Sequence, residues 1–207
     1  MRSQVYRSII VLGALTLAGC VSPGTSALSW YPNHGGKPPE QLRLTICHAF
    51  GCARSDRVQL SQADADALRQ IMAAGVADPS SERQAIAQAV MFVERRVGPI
   101  VGSDKDEGGF DMHNAGVPGQ MDCLDETTNT TTTLILLDQL GLLRHHTVAY
   151  PVARGFFLDG RYPHATAVVS VKETGERWAI DPWPYANAED VDVMPLDQWY
   201  ATWPSWS

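Results

Sequence analysis

The chain has 207 residues, 44% hydrophobic and 19% charged, enough for one globular domain and too few for two of ordinary size. Its 17 Gly and 13 Pro fall short of a low-complexity composition, and its 4 Cys fall short of a disulfide scaffold. With 16 basic residues against 23 acidic and no basic block, the composition argues against nucleic acid as a partner.

The chain opens with Arg2 and Arg7 ahead of an apolar run, Ile9 to Leu17, that is too short to span a bilayer as a mature helix. Small residues follow at Ala18 and Gly19, which makes residues 1–19 a secretory signal. Leu17-Ala18-Gly19-Cys20 resembles the bacterial lipobox, so acylation is expected on Cys20 and cleavage just before it. A lipid anchor then tethers the protein to the membrane, and Val21 after the Cys favours outer-membrane sorting, facing the periplasm. Loss of Arg2 and Arg7 leaves 14 basic against 23 acidic residues, an acidic surface that keeps the domain off anionic headgroups.

Residues 20–39 are rich in Pro and Gly and read as a flexible tether, with a single domain expected over 40–207. Leu42, Leu44 and Ile46 alternate with polar residues as in a half-buried strand, and Val58 with Leu60 predicts its return partner. Ser61 to Asp64 form a capping-box-like helix start, with Leu68, Ile71 and Met72 as the apolar stripe. A second helix is predicted over 81–97, ended by Gly98-Pro99. A Gly-rich acidic loop over 98–120 leads into a third helix from Cys123 to Leu140. Strands follow at 146–152, 164–171 and 177–181, and the chain ends in a helical turn or two from Pro195 with a Trp-rich tail. Helices followed by antiparallel strands make an α+β layout.

Cysteine arithmetic isolates one thiol. Cys47 and Cys52 flank the tip between the first two strands and, in an exported protein, are expected to form a disulfide. The rival reading, a metal site from Cys47, Cys52 and His48, lacks a second ligand pair at zinc-finger spacing. Cys123 is left unpaired at a helix start, where the dipole and open N–H groups favour a thiolate and offer an oxyanion hole. His164 begins one predicted strand and Asp181 ends the next, so a short connection can bring imidazole and carboxylate together. A thiol near a base that a carboxylate orients is the arrangement nucleophilic catalysis requires.

These residues resemble the transglutaminase-like superfamily, papain-related folds with a Cys-His-Asp triad. The resemblance is carried by Asp122-Cys123-Leu124-Asp125, by the turn Leu140-Gly141-Leu142-Leu143-Arg144, by His164-Ala165-Thr166 and by Trp178-Ala179-Ile180-Asp181-Pro182, across residues 82–185. It implies a papain-like fold with Cys123 as nucleophile, His164 as general base and acid, and Asp181 as the group orienting His164. The pattern departs from the family at Thr166, where a Trp is frequent, at Met121-Asp122, where a Gly often stands, and at Leu143, where a Pro is common. The periplasmic transglutaminase-like cysteine proteinases are a near relative on the Asp-Cys-x-Asp pattern.

Gln120, three before the Cys, is a candidate oxyanion donor against the plainer reading of a solvated loop residue. Asp104, Asp106, Glu107 and Asp111 are weak calcium candidates that lack a regular Asp-x-Asp-x-Asp-Gly pattern, so a solvated acidic loop is favoured. The Thr127, Thr128 and Thr130 to Thr133 run is poor in helix propensity and needs packing to hold it helical. Trp199, Trp203 and Trp206 read first as packing of the C-terminal segment. The expectation is a lipid-anchored envelope cysteine peptidase or amidase acting on a peptide or envelope protein, with no cofactor. The alternatives are a protein-crosslinking transglutaminase and a non-catalytic binding or assembly module.

Overall fold

The computed structural model describes residues 26–109, 112–155 and 163–202, and within them helices and antiparallel strands combine in an α+β arrangement. The expected signal 1–19, the acylation site Cys20, Asp111, Trp203 and Trp206 lie outside the described residues.

Strand β1 (Arg43–His48) pairs antiparallel with β2 (Arg54–Gln59), and the alternation turns Leu44, Ile46 and Val58 into the core. Helix α2 (Gln62–Ala73) starts on the predicted cap: Ser61 Oγ accepts from the Asp64 N–H, and Asp64 Oδ2 accepts from the Ser61 N–H. Helix α3 (Pro79–Val101) starts at an Asp78 cap and runs through Gly98-Pro99, where the sequence predicts a stop. A Pro in the last turn forgoes only one intrahelical bond, and the helix ends instead at Gly102, left-handed at φ 87°. Gly98 stays bare because a Cβ there would come within 3.1 Å of the Asp104 backbone nitrogen.

Helix α4 (Cys123–Gln139) is the centre of the molecule, buried at every position from 125 to 137. Part of the packing the Thr run needs comes from two aromatics that reach its hydroxyls. Trp30 Nε1 donates to Thr128 Oγ1 at 2.9 Å, and the Tyr31 hydroxyl lies 3.0 Å from Thr132 Oγ1. Those contacts correct the tether expected over 20–39: from Ser26 the chain folds onto the domain through a short helix α1 (Tyr31–His34), with Trp30 and Tyr31 buried. The Pro and Gly content describes the backbone of that segment, while two aromatics fix its position.

Beyond α4, β3 (His146–Arg154), β4 (His164–Val171), β5 (Arg177–Asp181) and β6 (Asp192–Pro195) form one antiparallel sheet in that order. Strand β4 is central, and its sides separate cleanly. Ala167 and Val169 with Ile180 join the main core, while Val168 and Ala179 pack with Leu196 and Trp199 of helix α5 (Leu196–Ala201). The period of two puts His164 and Asp181 on the α5 side, at the end of the sheet nearest the start of α4.

Candidate active site

Cys123 is the first residue of α4 and is 6% exposed. Asp122 caps the helix: its Oδ1 accepts from the N–H groups of Leu124 at 3.1 Å and Asp125 at 2.9 Å. Two of the donors expected to serve an oxyanion are therefore already satisfied by the side chain next to the nucleophile. The Cys123 thiol donates to the Pro163 carbonyl at 3.8 Å, and the Ala165 N–H points at the sulfur. The sulfur thus meets β4 at the residues on either side of His164.

The expected thiolate is not the resting state. Burial pushes the Cys123 pKa up to about 12, and the carboxylates of Asp122, Asp181 and Asp125 add to the rise, against one favourable bond from the Ala165 N–H. A dipole argument from sequence position is outweighed here by desolvation and three negative charges.

His164 Nε2 lies 2.6 Å from Asp181 Oδ2, both side chains buried. A carboxylate only accepts, so Nε2 carries a proton and donates it to Asp181. Nδ1 is itself buried and has no hydrogen-bond partner among the described residues. The imidazole sits against two indoles, with ring centroids 4.3 Å from Trp183 and 5.4 Å from Trp199. Trp199 does more than pack. Its Nε1–H donates to the same Asp181 oxygen at 2.8 Å, and Arg154 stacks over its ring and donates to its carbonyl. Nothing local in the sequence marks Trp199 for this role, because it reaches the carboxylate only through the docking of α5.

Gln120 is engaged at both ends of its amide. Nε2 donates to the Lys105 carbonyl at 2.7 Å, and Oε1 accepts from Asn114 Nδ2 and the Glu107 N–H. It braces the loop before α4, which corrects the reading as a free oxyanion donor. Asp106 braces the same loop, accepting from the Met121 N–H at 2.6 Å, while Asp104 is exposed. Among the described residues, the acidic loop gathers no group of three carboxylates into metal-ligand range.

Cys47 and Cys52 are joined in a disulfide, Cα atoms 4.6 Å apart. His48 accepts from the Gly119 N–H through Nδ1 and so donates through Nε2 to Asp56, leaving no nitrogen for a metal. The disulfide encloses Ala49, Phe50 and Gly51, which with Cys52 all have positive φ, from 56° to 69°. That left-handed run aims the Phe50 and Cys52 N–H groups at Asp125, at 2.8 and 2.6 Å. The disulfide loop therefore grips the first turn of the Cys123 helix, and Asp125 beside the two sulfurs is a hydrogen-bond acceptor rather than a metal ligand. No family model matches this chain, and no curated protein or solved structure matches it at a significant level.

Proposed function

We propose that the protein is a thiol-dependent acyl-transfer enzyme of papain-like, transglutaminase-like type, hydrolysing an amide bond in a peptide or envelope protein. It would be held at the bacterial envelope by a lipid on Cys20. The observation that carries the reading is the buried His164–Asp181 pair at 2.6 Å, whose remaining ring nitrogen is unpartnered, with the Cys123 sulfur lodged against the backbone flanking that histidine.

In this reading the buried thiol rests protonated. Nδ1 of His164 takes the thiol proton as the sulfur attacks the carbonyl carbon, and Asp181 stabilises the imidazolium through Nε2. The Cys123 N–H, the first of the helix and without an intrahelical acceptor, is the donor left for the oxyanion. Collapse breaks the C–N bond, and the leaving amine takes the proton from Nδ1. Water then gives a proton to Nδ1 as its oxygen attacks the thioester carbonyl, the C–S bond breaks to release the carboxylic acid, and Nδ1 returns the proton to the Cys123 sulfur. Two features support hydrolysis over transfer to an amine: water is abundant in the envelope, and the resembling bacterial subgroup consists largely of peptidases.

The test is an acyl-enzyme trap with p-nitrophenyl acetate, read by intact mass and by the p-nitrophenolate burst. Wild type should acquire one acetyl group on Cys123. His164→Ala and Cys123→Ala should acquire none. A second reading, a non-catalytic module on the same fold, is favoured by the burial that raises the thiol pKa. It requires no acetylation of Cys123 in wild type.

A further inference from the structure

On the side of the sheet away from His164 and Asp181, a groove of about 360 Å³ runs between α3 and the strands β5 and β6. Ser80, Arg83, Gln84 and Gln88 line it from α3, and Trp178 and Val193 from the sheet. Arg83 is the only charged side chain in its wall among the described residues. The guanidinium stacks 3.6 Å above the centre of the Trp178 ring, and Nη1 donates to His146 Nε2 at 3.3 Å. His146 takes that bond on a lone pair, because its Nδ1 proton goes to Glu82, 2.7 Å away. Glu82 is thus engaged by His146 and by the Arg144 and His145 N–H groups. No carboxylate lies within ion-pair distance of Arg83 among the described residues. Burial holds the Arg83 pKa below its ordinary value, and Glu176 and Asp78 offset that only in part.

A stacked, partly desolvated guanidinium with donors to spare suits a planar anion, since its fork meets a carboxylate through two parallel bonds. The acidic neighbours Asp78 and Glu176 tell against a dianion such as phosphate. The rest of the groove indicates what carries the carboxylate. Ser80, Gln84 and Gln88 recur every four residues, which sets them about 6 Å apart along one exposed face of α3. Alternate residues of an extended peptide are about 6.6–6.8 Å apart, so successive rungs of that ladder match its alternate amides. A Gln amide both donates and accepts, as a peptide group does. Among the described residues no hydrogen bond occupies these three side chains, and Val193 offers an apolar wall to a small side chain. The volume lies within the range of small-ligand sites, about 300–1,000 Å³.

We propose that the groove between α3 and the β5–β6 edge binds the C-terminal end of an extended peptide, with Arg83 taking the terminal carboxylate and Gln84 and Gln88 the preceding amides. The proposal does not depend on the acyl-transfer reading, because the groove is separate from His164 and Asp181 and its readout is binding.

The test is a titration of N-acetyl-trialanine, its C-terminal amide and inorganic phosphate into the Cys123→Ala protein, which cannot turn the peptide over. Binding is read by nuclear magnetic resonance at the Trp178 indole N–H, identified from its loss in Trp178→Phe. Expected is saturable binding of one equivalent of the acid, with the amide and phosphate each at least about tenfold weaker. Arg83→Lys keeps the charge but loses the fork, and should weaken the acid at least about tenfold. The double variant Gln84→Ala/Gln88→Ala, exposed on α3 and safe for the fold, should weaken acid and amide alike. Equal affinity for acid and amide overturns the proposal, as does an unchanged affinity in the folded Arg83→Lys and double variants. Phosphate binding as tightly as the acid overturns the peptide as occupant. Shifts confined to the Trp183 and Trp199 indoles place the peptide beside His164 and overturn the groove.

Discussion

Asp181 receives two buried donors on one oxygen, His164 Nε2–H at 2.6 Å and Trp199 Nε1–H at 2.8 Å, so its position is fixed from both sides. Trp199→Phe removes one bond to a charged group and leaves part of the buried indole's space empty, which together should cost at least about 1.5–3 kcal/mol in denaturant unfolding. Asp181→Asn should be tolerated by the fold but should lower acyl transfer by orders of magnitude, because an amide nitrogen facing Nε2 selects the wrong imidazole tautomer. A folded Asp181→Asn variant with wild-type p-nitrophenyl acetate turnover would remove the carboxylate from the mechanism. His164 and Asp181 are legible as a pair because one begins a strand and the other ends the next, across a short antiparallel connection. The state of the thiol is not. Position at a helix start is local, whereas the burial and the Asp122, Asp125 and Asp181 charges that raise its pKa are set by the assembled fold.

At the scale of elements, the part of the fold readable in advance is the part that local chemistry decides. The alternation of Leu44 and Ile46 gives β1, and Ser61 with Asp64 starts α2 where expected. The run past Pro99, the strand β6 and the docked Trp30–Tyr31 segment were not readable, since each depends on a neighbour distant in sequence. The Cys47–Cys52 loop shows the same coupling in functional form, because its N–H groups hold Asp125 at the start of α4. Closing so short a loop contributes about 2 kcal/mol by chain entropy, and reduction also frees four left-handed residues from their constraint. In a Cys123→Ala background, reductant should lower the melting midpoint by about 4–8 °C. An unchanged midpoint would mean that the loop holds its shape and its grip on Asp125 without the disulfide.

For the whole molecule, buried acids dominate the pH response. Burial raises Glu94 to about 8 and Asp125 to about 7, and lifts Glu126 well above the carboxylate range, with neighbouring carboxylates adding to each. The folded state then holds protons that the unfolded chain releases near pH 4, so stability should fall as pH rises from about 4 to 8. Glu82 works in the opposite sense. Burial pushes it up, but bonds from His146 and from the Arg144 and His145 N–H groups outweigh that and hold it low, so its contribution is lost in acid. Denaturant midpoints measured across pH should therefore peak near pH 4 to 5. A maximum near pH 7 would contradict the protonation assigned to the Glu94–Glu126 pair.

Whether His164 serves the Cys123 thiol is tested most directly by the pH dependence of Cys123 alkylation by iodoacetamide, in wild type and in His164→Ala. Proton removal by Nδ1 predicts that wild type reacts at neutral pH at least tenfold faster than the variant. The variant should gain rate only towards alkaline pH, as a buried thiol with its pKa raised to about 12 requires. Superimposable profiles for the two proteins would show that the imidazole does not reach the sulfur, and would contradict the account.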